Sequence, residues 1–160
     1  MLDFLFKSKG KEILATQNGK AVPLSEVPDE AFSQKLLGDG IAIIPSDGDI
    51  FSPVNGVVTN VFETLHAYTI RCEEDDIGIL IHVGIDTVSL KGEGFETFVK
   101  KNQKVKAGDL IGGANLEFIK DRGFPIYTPV IITNANKLKS ISYNFGDVKA
   151  GKSVVISYKV

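Results

Sequence analysis

Short apolar runs separated by turn residues dominate the chain from residue 40 onward. The runs are rich in Ile, Val and Leu, and several alternate apolar with polar positions, which is typical of strands. Glycine, proline, asparagine and aspartate mark the turns between them, as in "SDGD", "PVNG", "EEDD", "KAGD" and "NANK". We therefore predict strands over residues 41–44, 56–62, 67–72, 77–83, 109–114, 130–133 and 154–159.

Helical periodicity is scarce in this part of the chain. The stretch "VPDEAFSQKLL", residues 27–37, predicts one short helix or compact loop, because a proline precedes apolar residues spaced four apart. A further turn is expected in "GFETFVKKN". Many short strands in a chain of 160 residues favour one all-β domain, an antiparallel sandwich or barrel-like fold with short helical turns.

The first twenty residues, "MLDFLFKSKGKEILATQNGK", differ from the rest in being rich in lysine and polar residues. We predict that residues 1–20 form a polar and flexible tail, and that the domain occupies residues 21–160. An alternative is a short interfacial helix, because Leu2, Leu5 and Phe6 share one helical face and lysines follow them.

Charge and cysteine content narrow the function classes. Eighteen basic residues nearly balance twenty acidic ones, so no global field favours nucleic acid or an anionic membrane. The single cysteine, Cys72, forms no intramolecular disulfide and suits a reducing compartment. No secretory signal or membrane-spanning run is visible. We predict a soluble, cytoplasmic, monomeric protein that binds no nucleic acid.

Only two histidines occur, and both lie in or beside predicted strands. Strand alternation predicts that His66 shares a face with Phe62, Thr64 and Tyr68, and that His82 shares a face with Leu80 and Gly84. If the hairpin closes within "EEDD", residues 73–76, its midpoint near residue 74 places the two imidazoles directly opposite each other or nearly so. That register requires a loop of odd length or a bulge.

The residues alone leave three interpretations of this histidine pair open. A neutral imidazole is a competent nucleophile near neutral pH, and a second imidazole can stabilise a transferred phosphoryl group. The pair is equally compatible with part of a zinc site, although "HExxH" and "CxxC" motifs are absent and a third ligand is required. Two ordinary strand histidines are the third interpretation.

The segment "HVGIDTVSLKGEGF", residues 82–95, closely resembles the phosphorylation-site segment of the glucose-class IIA component of the bacterial phosphoenolpyruvate-dependent sugar phosphotransferase system. The resemblance continues through "GDGIAIIPSDGDIFSPVNGVV", "FETLHAYTI", "KVKAGD" and "TPVIITN", in the family's order. It covers roughly residues 20–158. Several separated blocks in one order are more specific than any single motif.

The resemblance implies an all-β sandwich and a phosphocarrier function. His82 would accept a phosphoryl group on Nε2 from the phosphorylated phosphocarrier HPr and pass it to a cysteine of a sugar-specific IIB domain. His66 would stabilise the phosphoryl group during onward transfer, Thr64 would hydrogen-bond within the site, and the Gly84 carbonyl would hold the Nδ1 proton of His82. No cofactor is required, and zinc is expected only where a partner adds a carboxylate to both histidines.

The same resemblance implies a partner-docking face around the histidines. Asp29 and Asp86 would contact an arginine of the incoming HPr. The apolar part of the face would consist of Phe32, Leu36, Leu37, Phe62, Leu80 and Val88. Membrane contact would occur only through the permease. The alternative function is a regulatory binding protein that docks transporters or metabolic enzymes according to its phosphorylation state.

Overall fold

The computed structural model describes residues 10–160, and antiparallel strands form most of this part of the chain. The strands are β1 (Lys11–Leu14), β2 (Gly19–Pro23), β3 (Asp39–Pro45), β4 (Asp49–Phe51), β5 (Gly56–Val61), β6 (Ala67–Cys72) and β7 (Gly78–His82). They continue as β8 (Phe95–Thr97), β9 (Lys104–Val105), β10 (Leu110–Ala114), β11 (Thr128–Ile132), β12 (Ser140–Tyr143), β13 (Gly146–Val148) and β14 (Val154–Lys159).

These strands form one large and two small sheets. The main sheet has eight strands in the order β13-β2-β3-β11-β7-β6-β5-β9, and all its pairs are antiparallel. The small sheets have the orders β1-β14-β12 and β4-β10-β8. Because β7 lies between β11 and β6, the strand that ends in His82 is hydrogen-bonded on both sides.

The apolar core divides into two clusters, one on each face of the main sheet. Alternation sends Ile79 and Ile81 of β7 into the larger cluster, where they pack with residues of the small sheets such as Ile13 and Ile111. Leu80 points to the opposite face, where a smaller cluster lies. The buried members of that cluster are Val22, Leu24, Val27, Phe32, Ala42, Ile85 and Ile131.

Helical structure is limited to short segments. Helix α1 spans Glu30–Ser33 and α2 spans Leu116–Asp121, and single 3-10 turns occur at Leu24–Glu26, Thr87–Leu90 and Ala135–Lys137. Asp29 caps α1, since its Oδ1 accepts a 2.8 Å hydrogen bond from the Ala31 amide. The buried Phe32 packs in the smaller cluster and thereby holds α1 against the face of the sheet that carries Leu80.

The predicted all-β class is confirmed, and each of the seven predicted strands overlaps an observed one. The helix predicted within residues 27–37 is present as α1. The pattern missed α2, whose N-terminus is capped by Asn115. The pattern also predicted only a helical turn in "GFETFVKKN", whereas Phe95–Thr97 of this stretch forms β8.

The predicted tail over residues 1–20 is wrong for residues 11–20. Residues 11–14 form β1 against β14, and β2 begins at Gly19. Ile13, Ala15, Thr16 and Gln17 are fully buried, although the apolar segment from Ile13 to Ala15 is short and has polar residues on both sides. The alternative interfacial helix with Leu2, Leu5 and Phe6 lies outside the described residues. Within residues 10–160, no helix has the length and apolarity needed to cross a bilayer.

Candidate functional site

The two histidines lie at neighbouring chain reversals, nearly opposite each other as predicted, but the directly opposed register is wrong by one residue. His82 ends β7 and pairs with Ala67, not with His66. The β6–β7 loop has an even length, because the Cys72 amide donates to the Ile77 carbonyl across four intervening residues. His66 precedes β6, in the hairpin loop after β5, and its carbonyl accepts from the Val83 amide at 2.7 Å.

The imidazoles nevertheless contact each other. Their ring centroids are 4.8 Å apart with an interplanar angle of 84°. His66 reaches His82 because it lies in the loop, where Leu65 adopts a left-handed conformation with φ 59°, and strand alternation no longer fixes its side-chain direction. The prediction that His66 shares a face with Tyr68 is therefore wrong: Tyr68 belongs to the larger core cluster.

Two phenylalanines enclose the pair. The Phe32 ring lies 5.0 Å from the His82 ring, and the Phe62 ring lies 5.5 Å from the His66 ring in an edge-on arrangement. His66 is 2% exposed, whereas His82 is only half-buried. The pair thus forms a shallow site in which His82 is the ring that solvent or a partner can reach.

A backbone carbonyl fixes the tautomer of His82. Nδ1 of His82 lies 2.8 Å from the Gly84 carbonyl oxygen. Because a carbonyl can only accept, Nδ1 carries the proton and donates it, and the neutral ring keeps a lone pair on Nε2. This is the hydrogen bond that the resemblance implied for Gly84.

The loop that supplies this carbonyl depends on a glycine and on a threonine that sequence reasoning missed. Gly84 has φ +79°, and a Cβ added there would lie 2.5 Å from Cγ2 of Thr87. The buried Thr87 hydroxyl donates to the Val83 carbonyl at 2.6 Å, and this hydrogen bond stabilises the loop on its buried side. Thr87 falls within "GIDTV", but nothing in its spacing distinguishes it from an exposed loop threonine.

Thr64 is placed against the second histidine. Its hydroxyl oxygen lies 2.7 Å from Nδ1 of His66. When the hydroxyl donates this bond, the His66 proton resides on Nε2, leaving that nitrogen free to donate a second hydrogen bond. The two rings can then offer a lone pair from His82 and a donor from His66 to the same group.

Both imidazoles are held in the neutral form. Burial, with a smaller effect from the neighbouring His82, lowers the pKa of His66 from 6.5 to about 4. Burial also lowers the pKa of His82, although the Gly84 carbonyl and the charges of Asp29 and Asp86 oppose that shift. A neutral ring is the nucleophilic form of histidine, so the site is in its reactive protonation state near neutral pH.

The two predicted acidic residues lie near His82, as their effect on its pKa indicates. Asp29 is half-buried and has a structural role as well, because it caps α1. Asp86 is exposed and adopts a left-handed conformation with φ 61°, at the start of the 3-10 turn after Gly84. Both add negative charge near the half-buried ring.

The six predicted apolar docking residues divide into buried and exposed sets. Phe32 is buried, and Phe62 and Leu80 are half-buried, so these three support the site. The side chains exposed to solvent are Leu36 at 69%, Leu37 at 46% and Val88 at 52%. We call Leu36, Leu37 and Val88 the apolar rim. Large exposed apolar side chains beside a reactive group are typical of a surface that receives a partner.

The structure offers little for metal binding beyond the two histidines. Among residues 10–160, no group of three or more His, Cys, Asp or Glu side chains is arranged to hold a metal ion. Cys72 is buried in the larger core cluster, on the opposite face of the main sheet from His82. The third ligand that an intrinsic zinc site needs is therefore not supplied by this cysteine.

Comparison with known proteins gives one consistent answer. The family model described as "phosphoenolpyruvate-dependent sugar phosphotransferase system, EIIA 1" matches residues 11–138. The glucose-specific EIIA component of Buchnera aphidicola from Acyrthosiphon pisum is 49% identical, over 95% of this chain and 94% of that relative. The Haemophilus influenzae component of the same name is 38% identical, over 99% of this chain and 98% of the relative.

A longer relative and a solved structure extend the comparison. The glucose-specific EIICBA component of Staphylococcus saprophyticus is 41% identical over 89% of this chain, which corresponds to 21% of that relative. The structure of glucose permease IIA from Mycoplasma capricolum superposes with a TM-score of 0.88 and 39% identity, covering 94% of this chain and 97% of that one. The resemblance found in the sequence is thus confirmed. The chain belongs to the EIIA 1 family of the phosphoenolpyruvate-dependent sugar phosphotransferase system, and it is a phosphotransferase component that carries phosphate toward a IIB component.

Proposed function

We propose that His82 is the phosphoryl acceptor of this chain and that the group is carried on Nε2. The hydrogen bond between Nδ1 of His82 and the Gly84 carbonyl, at 2.8 Å, is the observation that carries the proposal. It leaves the Nε2 lone pair as the nucleophile of a ring that is half-buried and neutral. No other histidine of the chain combines accessibility with a fixed tautomer, since His66 is 2% exposed.

The donor is phosphorylated HPr. The His82 Nε2 lone pair attacks the phosphorus, and the new N–P bond forms as the P–N bond of the donor breaks. The bonding electron pair returns to the donor imidazole, while the Nδ1 proton of His82 stays in its hydrogen bond to Gly84. Reversal of the same step with a IIB cysteine thiolate as nucleophile moves the group onward. Positioning and electrostatics supply the catalysis, and no cofactor takes part.

His66 and Thr64 stabilise the transferred group. With Thr64 donating to its Nδ1, His66 presents an Nε2–H donor next to His82, at a ring separation of 4.8 Å. A donor aimed at the phosphoryl oxygens lowers the cost of charge at the phosphorus during transfer. The low pKa of His66, about 4, keeps this ring neutral, so it contributes a hydrogen bond and not a full charge.

HPr and the IIB domain dock in turn on the apolar rim, with Asp29 and Asp86 as charged contacts for an arginine of HPr. The exposure of Leu36, Leu37 and Val88 around the site supports this role. A relative named as an EIICBA component supports the link to a IIB domain. We place the exchange in the cytoplasm, with membrane contact only through the permease. Zinc binds this chain only where a partner carboxylate joins both histidines.

Labelling with phosphoenolpyruvate, enzyme I and HPr tests the proposal. The wild type should gain one acid-labile phosphate, and His82→Ala should gain none because the nucleophile is gone. His66→Gln should still be labelled, since it retains His82, but it should pass the group to a IIB domain roughly tenfold to a thousandfold more slowly.

The His66→Gln variant is also the matched control for folding, because it alters the more buried of the two rings. Normal labelling of His82→Ala would refute the assignment of the acceptor. A His66→Gln variant that transfers to IIB at the wild-type rate would leave His82 as the acceptor and remove the role given to His66.

A further inference from the structure

The turn that follows α1 is a helix C-terminal motif with an unusual residue in its key position. The Leu36 amide donates to the Ala31 carbonyl at 3.0 Å, and the Lys35 amide donates to the Phe32 carbonyl at 3.0 Å. This pair of bonds defines a Schellman motif, whose left-handed position is usually glycine. Here it is Lys35, with φ 59°. A lysine costs free energy in that conformation, so side-chain contacts must help to hold it.

Two residues contact the Lys35 side chain, one four residues later in the chain and one more than a hundred residues later. Its Nζ lies 3.2 Å from Oδ1 of Asp39 at the start of β3, and 3.5 Å from the Tyr143 hydroxyl at the end of β12. The same hydroxyl donates to Asp39 Oδ1 at 2.5 Å. Lys35 Nζ also lies 5.5 Å from the centre of the Tyr143 ring. We call Lys35, Asp39 and Tyr143 the turn anchor.

The turn anchor lies directly beside residues of the proposed docking surface. Leu36 and Leu37 follow Lys35 without a break, and they are 69% and 46% exposed. Phe32, whose carbonyl receives the Lys35 amide, packs its ring 5.0 Å from the His82 ring. This turn thus connects the acceptor histidine and the two leucines with strand β12, which contributes Tyr143.

We propose that Asp39 and Tyr143 are positioning residues for partner docking: they fix the left-handed Lys35 turn and thereby present Leu36 and Leu37 in the conformation that HPr and IIB recognise. The inference rests on the proposed docking role of these leucines. A surface ordered before the encounter binds more tightly than one that must be ordered by it. Neither anchor residue touches the transferred group, so the rate of the chemical step should be independent of both.

Two variants each remove one of the polar contacts of the turn anchor. Tyr143→Phe keeps the ring but deletes the hydroxyl, and Asp39→Asn deletes the charge that receives Lys35. Each should raise the KM for phosphorylated HPr in His82 labelling by roughly threefold to tenfold, the effect of losing one partly exposed polar contact, and leave kcat unchanged. Backbone amides of residues 34–38 should exchange faster with deuterium in both variants.

Asp76→Asn is the matched control. Asp76 also has a left-handed backbone, with φ 59°, and its carboxylate pairs with Arg71 at 3.1 Å in the loop at the far end of β7 from His82. This variant removes an exposed ion pair of similar geometry away from the docking surface. It should leave both the KM and the exchange of residues 34–38 at wild-type values.

Substitutions at Lys35 separate the backbone from the side chain. Lys35→Ala loses the contacts and keeps the unfavourable left-handed conformation, so its KM should rise. Lys35→Gly loses the same contacts but accepts that conformation without strain, so it should recover part of the affinity lost in Lys35→Ala. Equal KM values for the two would contradict the claim that the turn conformation is what the anchor supplies.

Failure of this inference is distinguishable from failure of the proposed function. If His82→Ala is labelled, the acceptor assignment fails whatever the anchor does. If wild-type labelling depends on His82 and Leu36→Ala raises the KM while Tyr143→Phe and Asp39→Asn do not, only the anchor is refuted. A fall of kcat in both anchor variants, or a KM effect shared by Asp76→Asn, would show a general structural effect and also refute it.

Discussion

At the scale of single residues, the site works by giving two chemically identical side chains different surroundings. His82 donates from Nδ1 to a carbonyl and is reachable, whereas His66 is 2% exposed and bound to a hydroxyl. The difference assigns the lone pair to one ring and a donor to the other. Burial keeps both rings neutral, which is the form that the transfer needs.

The depressed histidine pKa values make stability depend on pH in a defined window. Well above pH 6.5, His66 is neutral in both the folded and the unfolded chain. As the pH falls from 6.5 toward 4, His66 binds a proton in the unfolded chain but not in the folded chain, so the unfolding free energy falls. The loss from His66 amounts to about 3 kcal/mol by pH 4.

Urea unfolding of the wild type and of His66→Gln at pH 7.5, 6.5, 5.5 and 4.5 measures this effect, with the pH values chosen to span roughly the window above. The variant lacks the buried titrating ring, so its unfolding free energy should fall less steeply over the window. Carboxylates titrate in both proteins and cancel in the difference. Parallel pH profiles would mean that His66 titrates normally in the folded chain.

Much of the site was predictable from the sequence at this scale, because its chemistry resides in a few residue types within specific motifs. The histidines, Thr64 and Gly84 were named from "FETLHAYTI" and "HVGIDTV", and all four are brought together. Their register was not predictable. Whether the "EEDD" loop holds an even or odd number of residues shifts the pairing by one, and the even loop places Ala67 opposite His82.

At the scale of elements, strands with mixed polarity were the ones that the pattern missed. Strand β1 reads as "KEIL" and contributes one fully buried side chain, Ile13, so it has no apolar run to reveal it. Its existence depends on pairing with β14, more than a hundred residues later. Non-local pairing of this kind is invisible to a local pattern, whereas strands such as β7, buried on one face and half-buried on the other, are recognisable alone.

Ile13→Ala tests whether β1 is an integral element. Ile13 pairs with Ile156 and is fully buried in the larger core cluster, so the substitution should lower the unfolding free energy by about 2–4 kcal/mol. Glu12→Ala is the control, because Glu12 is exposed on the opposite face and its loss should change stability by less than about 0.5 kcal/mol. Equal losses of unfolding free energy for the two variants in chemical denaturation would show that β1 contributes no more to stability than the predicted tail would.

At the scale of the whole molecule, the main sheet separates the reactive face from the structural core. His82 contacts Phe32 of the smaller cluster, and α1, which leads into Leu36 and Leu37, lies over the same face. The larger cluster lies on the other face and joins all three sheets. Partner docking and phosphorylation therefore act on one face, while the stability of the fold depends mainly on packing at the other.

Cys72 offers a direct measurement of that separation, because the only cysteine of the chain is buried in the larger cluster. Burial, with smaller effects of neighbouring negative charges, raises the pKa of its thiol to about 11. Since the thiolate is the reactive form, a thiol reagent at pH 8 should modify the folded protein very slowly. Modification should then occur through global unfolding and follow its equilibrium.

The Ile13→Ala variant tests whether the rate of Cys72 modification follows the unfolding free energy. Ile13 and Cys72 belong to the same cluster, so each loss of about 2 kcal/mol in unfolding free energy should speed Cys72 modification roughly thirtyfold. Leu36→Ala, which alters an exposed residue of the apolar rim, should speed it only by the factor that matches its own, smaller loss of stability. If Ile13→Ala leaves the modification rate unchanged, Cys72 reacts through local opening of the 73–76 loop, and the larger cluster does not unfold as one unit.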